Sequence, residues 1–363
     1  MSWNRGNPPT SGILGLGFPE PPPPDSTRSA LGGEIASPDP AVRWRTAAVL
    51  ADLPGEESEA LLLLLLGDAD YRVRERSLAA LALRFTPTVA SACAVALADD
   101  ENAGRRGAAL ALLSRAGAEG RRVLLGALQH PSPDVRISAA LALPGPRADA
   151  QTVAALEAAA RHEGDPNARA ALLLALGRTG RREAIPSLLA VLDEGNLWLR
   201  VHALEALGEM GDPDVAARIL PLLSHPPLRR AALKALSRLE SAAPIEELTR
   251  RAAASCLDAT SELDEALLGA LRKAAGVDRA LFLRRAAELW PEAGDALRRI
   301  LASSDASGAE RTDAAHLLAL LDAPGAANAL VQHGPFEDGF EVLQALSTER
   351  FSEALSAALQ AED

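Results

Sequence analysis

Catalysis by side chains needs nucleophiles, bases or metal ligands held at fixed intervals, and in this sequence the residues able to serve are few and unaligned. His130, His162, His202, His225, His316 and His333 share no common spacing. Cys93 and Cys256 lack a CxxC interval and lie far from any histidine cluster, so neither a zinc site nor a disulfide framework is signalled; both read as reduced, buried thiols. No GxSxG elbow, P-loop, HExxH helix or dinucleotide fingerprint occurs. These patterns assign no catalytic, metal or cofactor-binding residue, and the expectation is a protein that is not an enzyme and carries no cofactor.

Arginine is the residue type that recurs with a rhythm. Arg43, Arg74, Arg106, Arg136, Arg169, Arg200 and Arg229 follow one another at gaps of 31, 32, 30, 33, 31 and 29 residues. Seven residues after each stands a leucine: Leu50, Leu81, Leu113, Leu143, Leu176, Leu207 and Leu236. Guanidinium groups suit recognition of carboxylates and phosphates, or internal ion pairing, rather than proton transfer. Seven Arg-Arg pairs also occur; Arg121-Arg122 and Arg181-Arg182 each follow a glycine and read as solvated inter-repeat turns.

The elements that carry this row are helices. With the anchor arginine at zero and roughly 100° per residue, offsets of minus one, three, four and seven share one face, which is the core face. Between anchors runs a second apolar helical pattern ending at Leu66, Leu97, Leu128, Ala159, Leu192 and Leu223, so each unit is a helix pair. Asp39-Pro40, Ser132-Pro133, Asp165-Pro166 and Asp212-Pro213 join an N-capping side chain to a proline at the first helical position. Gly177 and Gly208 read as C-terminal stops. Small residues such as Ala47, Ala139, Ala140 and Ala203 permit close helix approach, and a lone pair cannot bury its stripe, so the pairs must stack.

Composition agrees with that plan. Of 363 residues, 48% are hydrophobic and only 3% aromatic, the apolar share being mostly the helix formers Ala and Leu. Only Lys234 and Lys273 among the 37 basic residues are lysines, which with abundant Ala, Gly and Pro suggests a GC-rich bacterial genome. A net charge of −12 disfavours nucleic acid as the main partner, because phosphate neutralisation needs a basic surface. Apolar runs such as Leu61 to Leu66 fall far short of the ~20 residues of a membrane span. The first residues lead into prolines rather than an apolar stretch, so no secretory signal and no membrane insertion are expected and the cytoplasm is the expected compartment.

Three regions follow. Residues 1–33 form a Pro/Gly-rich tail, disordered or docked on a partner, in which Ile13, Leu14, Leu16 and Phe18 make an apolar segment suited to a groove. Residues 34–240 hold the regular repeats. Residues 241–363 read as divergent repeats and a cap, with Arg311, Ala314 and Leu318 keeping the template and Phe282, Phe336, Phe340 and Phe351 giving a bulkier core; a separate helical domain is the alternative.

Ser132-Pro133-Asp134-Val135-Arg136 and Asp165-Pro166-Asn167-Ala168-Arg169, each leading an Ala/Leu-rich helix, resemble the short bacterial HEAT-like repeats also found in phycobilin lyases. The resemblance spans about residues 37 to 240 and implies an all-α fold: an α-solenoid of stacked antiparallel helix pairs, about 31 residues each, with a divergent helical C-terminal part. It also implies that each anchor arginine bonds an Asp or Asn of its own or the adjacent repeat; Asp39, Asp70, Asn102, Asp165 and Asn196 stand four residues before their anchors. Among enzymatic relatives, deoxyhypusine hydroxylase draws iron ligands from several His-Glu dipeptides, whereas this chain has only His162-Glu163. For the lyase reading no functional residue can be matched, and the base-excising HEAT-like glycosylases need a basic concave surface.

In HEAT-like arrays the concave surface is lined by offsets two, five and nine of the anchored helix. Along it stand Arg45, Arg76, Arg115, Leu141, Leu174 and Arg178, then His202, Glu205 and Glu209, then Lys234 and Arg238. Layers ~10 Å apart would spread this row over ~60–70 Å. Trp198 falls near the exposed side in a chain poor in aromatics and is the sharper candidate for an interface anchor, with Trp44 a weaker one. The expected function is a protein-binding scaffold or adaptor in a bacterial multiprotein assembly, using this face and the tail to hold one or more partners. A phycobilin-lyase-like chromophore-binding enzyme and a nucleic-acid-associated solenoid are the alternatives.

Overall fold

Capping chemistry sets where the helices begin. In the computed structural model Asp39 accepts the Ala41 N–H ahead of helix Pro40–Asp52, and Asp165 accepts from Asn167 and Ala168 ahead of Pro166–Arg178. Asp70, Asn102 and Asn196 do the same for Tyr71–Leu83, Ala103–Arg115 and Leu197–Met210. Ser132 departs from the expectation: its hydroxyl caps nothing, and its own N–H donates to His130 Nδ1, leaving Pro133 alone to open Pro133–Ala142. Asp212-Pro213 opens only a 3-10 turn, Pro213–Val215, that runs on into the short helix Ala216–Ile219.

The structure describes residues 31–363 apart from 100, 144–147, 256–261, 324, 335–338, 348, 350, 353–355 and 357–363. Ile13, Leu14, Leu16, Phe18 and Cys256 therefore lie outside the described residues. Among those described there is no strand, and the architecture is an α-solenoid of stacked helix pairs. The chain divides into two compact units, residues 1–123 and 124–363, the division falling within helix Gly117–Ala127.

In the first unit Pro40–Asp52 packs on Tyr71–Leu83, and Tyr71–Leu83 on Ala103–Arg115. Their partners Glu56–Leu65 and Pro87–Ala96 fill the other layer, each packed on the following anchored helix. In the second unit Pro133–Ala142, Pro166–Arg178, Leu197–Met210 and Pro226–Leu236 pack each on the next, and the row runs on through Glu262–Val277 to Gly308–Leu321. Ala150–His162, Ile185–Leu192, Ile245–Ala254, Arg279–Leu289, Ala293–Ala302 and Ala326–His333 supply the second layer. No helix among the described residues is long and apolar enough to cross a membrane.

The core follows the anchor rule. Every leucine seven after an anchor is buried, as are Ala47, Ala139, Ala140 and Ala203. Each fully buried leucine contributes about 1.5–3 kcal/mol relative to leaving it in water. Arg105 and Leu110 break the pattern, being only partly covered at their core offsets in the third repeat. Phe282 is fully buried, but Phe351 stands exposed, so it adds nothing to a C-terminal core.

Two glycine expectations are corrected. Gly177 and Gly208 stop nothing: both lie inside their helices, where a Cβ would come within 2.7 Å of Ala206 Cα and 2.9 Å of Ala235 Cα on the next helix. The glycines that use backbone freedom lie just past these helices: Gly180, at φ 63°, and Gly211, at φ 67°. Arg121-Arg122 lies within helix Gly117–Ala127 rather than in a turn, and the Gly120 before it is a contact glycine whose Cβ would strike the Leu113 carbonyl oxygen. Of Arg181-Arg182, Arg181 follows Gly180 in the connection as expected, whereas Arg182 opens the 3-10 helix Arg182–Ala184 and pairs with Asp212 at 2.6 Å.

Candidate functional site

The anchor arginines form an internal ladder that reaches the adjacent repeat, as the resemblance implied, but its acids are not the residues four before each anchor, and two of them are Glu. Arg43 holds Asp68 through Nε at 2.6 Å and Nη2 at 2.9 Å. Arg136 holds Glu163 through the same two nitrogens at 2.7 Å, and Arg169 holds Glu194 through Nη1 and Nη2 at 2.8 and 2.6 Å. These acids sit in the loop before the next anchored helix, two residues ahead of its cap, and Asp68 and Glu163 also accept the N–H of that cap, Asp70 or Asp165. The Asp and Asn residues four before each anchor are already occupied with helix N–H groups. Arg74, Arg106 and Arg229 bond backbone carbonyls of the segment before their own helices.

Ionisation follows from these bonds. The Arg136 hydrogen bonds hold the Glu163 carboxyl below its usual range against the effect of burial. Burial pushes Asp68 up, yet Arg43 and the Asp70 N–H together outweigh it and the net shift is downward. At the surface Arg72 pulls Asp70 down to about 2. Burial pushes the Cys93 thiol up to about 12, an inert thiol. Because Glu163 is gripped by Arg136, the single His-Glu dipeptide is part of the ladder.

The outward faces of the anchored helices carry the candidate binding residues, and each unit presents its own set. In the first unit Arg45, Arg76 and Arg115 are exposed. Arg76 lies over the Trp44 ring of the neighbouring helix, 5.3 Å from its centroid, and Trp44 keeps 40% of its surface open. Arg45 folds back on the Ala41 carbonyl. In the second unit Leu141 is exposed and Leu174 half-buried on successive helices. Trp198 is 52% exposed, its ring packed at 4.3 Å and 54° on His202, whose Nδ1 sits 2.9 Å from the Trp198 carbonyl oxygen. Arg178 reaches Glu209 of the next helix at 3.7 Å, and Glu205, Lys234 and Arg238 point outward unpaired among the described residues.

The structure thus brings together Trp44 with Arg76, Trp198 with His202, and Arg178 with Glu209. Leu83, 91% exposed nine residues after its anchor, belongs to the first unit's face and satisfies the offset rule that selected the others. Leu197, exposed beside Trp198, lies off those offsets and had no such signal.

Models of HEAT repeats match residues 29–114, 89–177, 121–200 and 186–256, well over half of the chain. The chain is a HEAT-repeat protein. Solved structures share the fold at low identity. Importin Beta is 13% identical with a TM-score of 0.58, over 91% of this chain and 53% of its own. Kap95p, whose binding induces the switch loops of RanGDP to adopt the GTP-bound conformation, is 14% identical with a TM-score of 0.53, over 97% of this chain and 54% of its own. The CpcE–CpcF complex of phycocyanin lyase from Nostoc sp. PCC7120 is 21% identical with a TM-score of 0.41, over 66% of this chain and 94% of its own. The HEAT-repeat chain spans about half the length of Importin Beta and Kap95p. No curated protein matches the sequence significantly.

Proposed function

We propose that this HEAT-repeat protein is a non-enzymatic scaffold of the bacterial cytoplasm that binds a protein partner through the outward face of its anchored helices, assisted by the N-terminal segment Ile13–Phe18. The observation that carries the reading is Trp198. A half-exposed indole in a chain with four tryptophans, already held in one orientation by His202, costs little entropy to dock and offers a large apolar contact. Leu141 and Leu174 add apolar positions on the two preceding anchored helices, and Glu205, Lys234 and Arg238 add polar ones on the Trp198 helix, on the next and just past its end. Trp44 under Arg76 offers a second, smaller patch in the first unit. Kap95p engages RanGDP with the same repeat architecture, which supports a protein as the partner class. The proposed organisation is a tail at 1–33, regular repeats at 34–240 and divergent capping repeats at 241–363.

The test is a pull-down that compares the full chain with a form lacking residues 1–33 and with Trp198→Ala and Arg76→Glu. Trp198→Ala should cut recovery of the captured partner at least about tenfold, the scale of an interface hot spot. Unchanged capture by all three variants would overturn the placement of the binding surface. A bound chromophore band after adding bilin would instead favour a lyase-like enzyme.

A further inference from the structure

At two rungs the ladder lacks its acid: His130 stands two residues before the Ser132 cap, and its anchor Arg106 turns to the Asp99 carbonyl instead. Asp68, Glu163 and Glu194 each stand two residues before the cap of the following anchored helix, and two residues before His225, the cap of Pro226–Leu236, stands Leu223, fully buried. Arg200 is the anchor left over. Its Nε is buried with no hydrogen-bond acceptor, and no carboxylate pairs with it among the described residues, although the side chain as a whole is part-exposed. A buried guanidinium donor left unbonded is costly, and an oxygen ligand arriving from solvent relieves that cost.

Residues 222–225 gather further positive charge. Arg229 Nε donates to the Leu223 carbonyl at 2.9 Å, and Arg251 Nη2 donates to Ser224 Oγ at 3.2 Å. Arg251 is itself paired with Glu247, which also bonds Arg250. His225 is exposed and its side chain makes no cap bond.

We propose that Arg200 and residues 222–225, where the 3-10 helix Leu220–Ser224 ends, form a receptor for a carboxylate on an acidic segment of a protein partner, which takes the place in the ladder that Leu223 leaves without an acid. The Nε/Nη2 edge that grips Asp68 and Glu163 at 2.6–2.9 Å selects a planar group with two oxygens, and a carboxylate is that group. The inference rests on the protein-binding reading for its partner class, but its residues are not those of the Trp198 patch.

The experiment titrates full-length protein with a capped hexaglutamate peptide and, separately, with inorganic phosphate, following the arginine Nε–H resonances by NMR. Hexaglutamate should move the Arg200 signal. Its affinity should fall at least about tenfold in Arg200→Gln and in Arg200→Lys, because lysine cannot supply the bidentate edge. Trp198→Ala should leave that affinity unchanged, so failure of the Trp198 patch and failure of this site are told apart. An unmoved Arg200 signal, equal affinity in Arg200→Gln, or a response to phosphate alone would overturn the assignment. Should Arg200→Gln fail to fold, the wild-type Arg200 signal and Arg200→Lys decide the matter.

Discussion

At Glu163 one carboxylate ties three segments together: its own loop, the Arg136 guanidinium one repeat back and the Asp165 N–H that opens the next helix. Glu163→Gln should lower stability by about 1.5–3 kcal/mol, the range for hydrogen bonds to charged groups, measured by urea unfolding at neutral pH. The pH dependence has a definite sign. The folded carboxyl titrates below its ordinary 4.5, so its contribution is complete above that value and is lost as the pH falls through the lower, folded one. Wild type should therefore lose stability more steeply than Glu163→Gln below about pH 4.5. Arginine anchors were legible in the sequence because they keep one residue type and one interval. Their acids were not: Asp68, Glu163 and Glu194 differ in type and lie 25 or 27 residues from their anchors, in loops whose lengths vary. Trp198 could be placed near the outward side from its offset, but its seat against His202 depends on side-chain rotamers that no spacing encodes.

For a helix, glycine can mean two things. Beyond the last turn it supplies a positive φ, as Gly211 does; within the helix it lets a neighbour come close, as Gly177 does against Ala206. Sequence position near a helix end does not separate the two uses, which is why Gly177 and Gly208 read as stops. Gly177→Ala should cost about 1–3 kcal/mol through overpacking against backbone that cannot yield. Gly126, inside Gly117–Ala127 with open space where a Cβ would go, gives the opposite sign. Gly126→Ala should stabilise by about 0.4–1 kcal/mol by restricting the unfolded chain. Thermal unfolding of the two variants side by side checks both; a loss from each would show that the space at Gly126 is not open in solution.

Across the whole chain, repetition made the fold readable, since seven arginine-leucine pairs report one supersecondary unit seven times. The partner was not readable, because the outward faces carry different residues from one repeat to the next. Two compact units also imply local rather than uniform opening. Leu78→Ala, at a fully buried site in the first unit, should cost about 2–5 kcal/mol there. Hydrogen exchange should quicken in residues 40–115 while Leu197–Met210 and Pro226–Leu236 keep their protection; equal loss of protection in both regions would refute independent opening.

Arg84 has a consequence for synthesis. Its guanidinium donates to the carbonyls of Leu50 and Leu53, where helix Pro40–Asp52 ends one repeat earlier. Those two bonds form only after the polypeptide leaving the ribosome has grown some thirty residues past Leu53, so this first hairpin is completed by the one that follows it. A nascent chain arrested before Arg84 would expose those two oxygens to chaperones and proteases, and one arrested just past it would not.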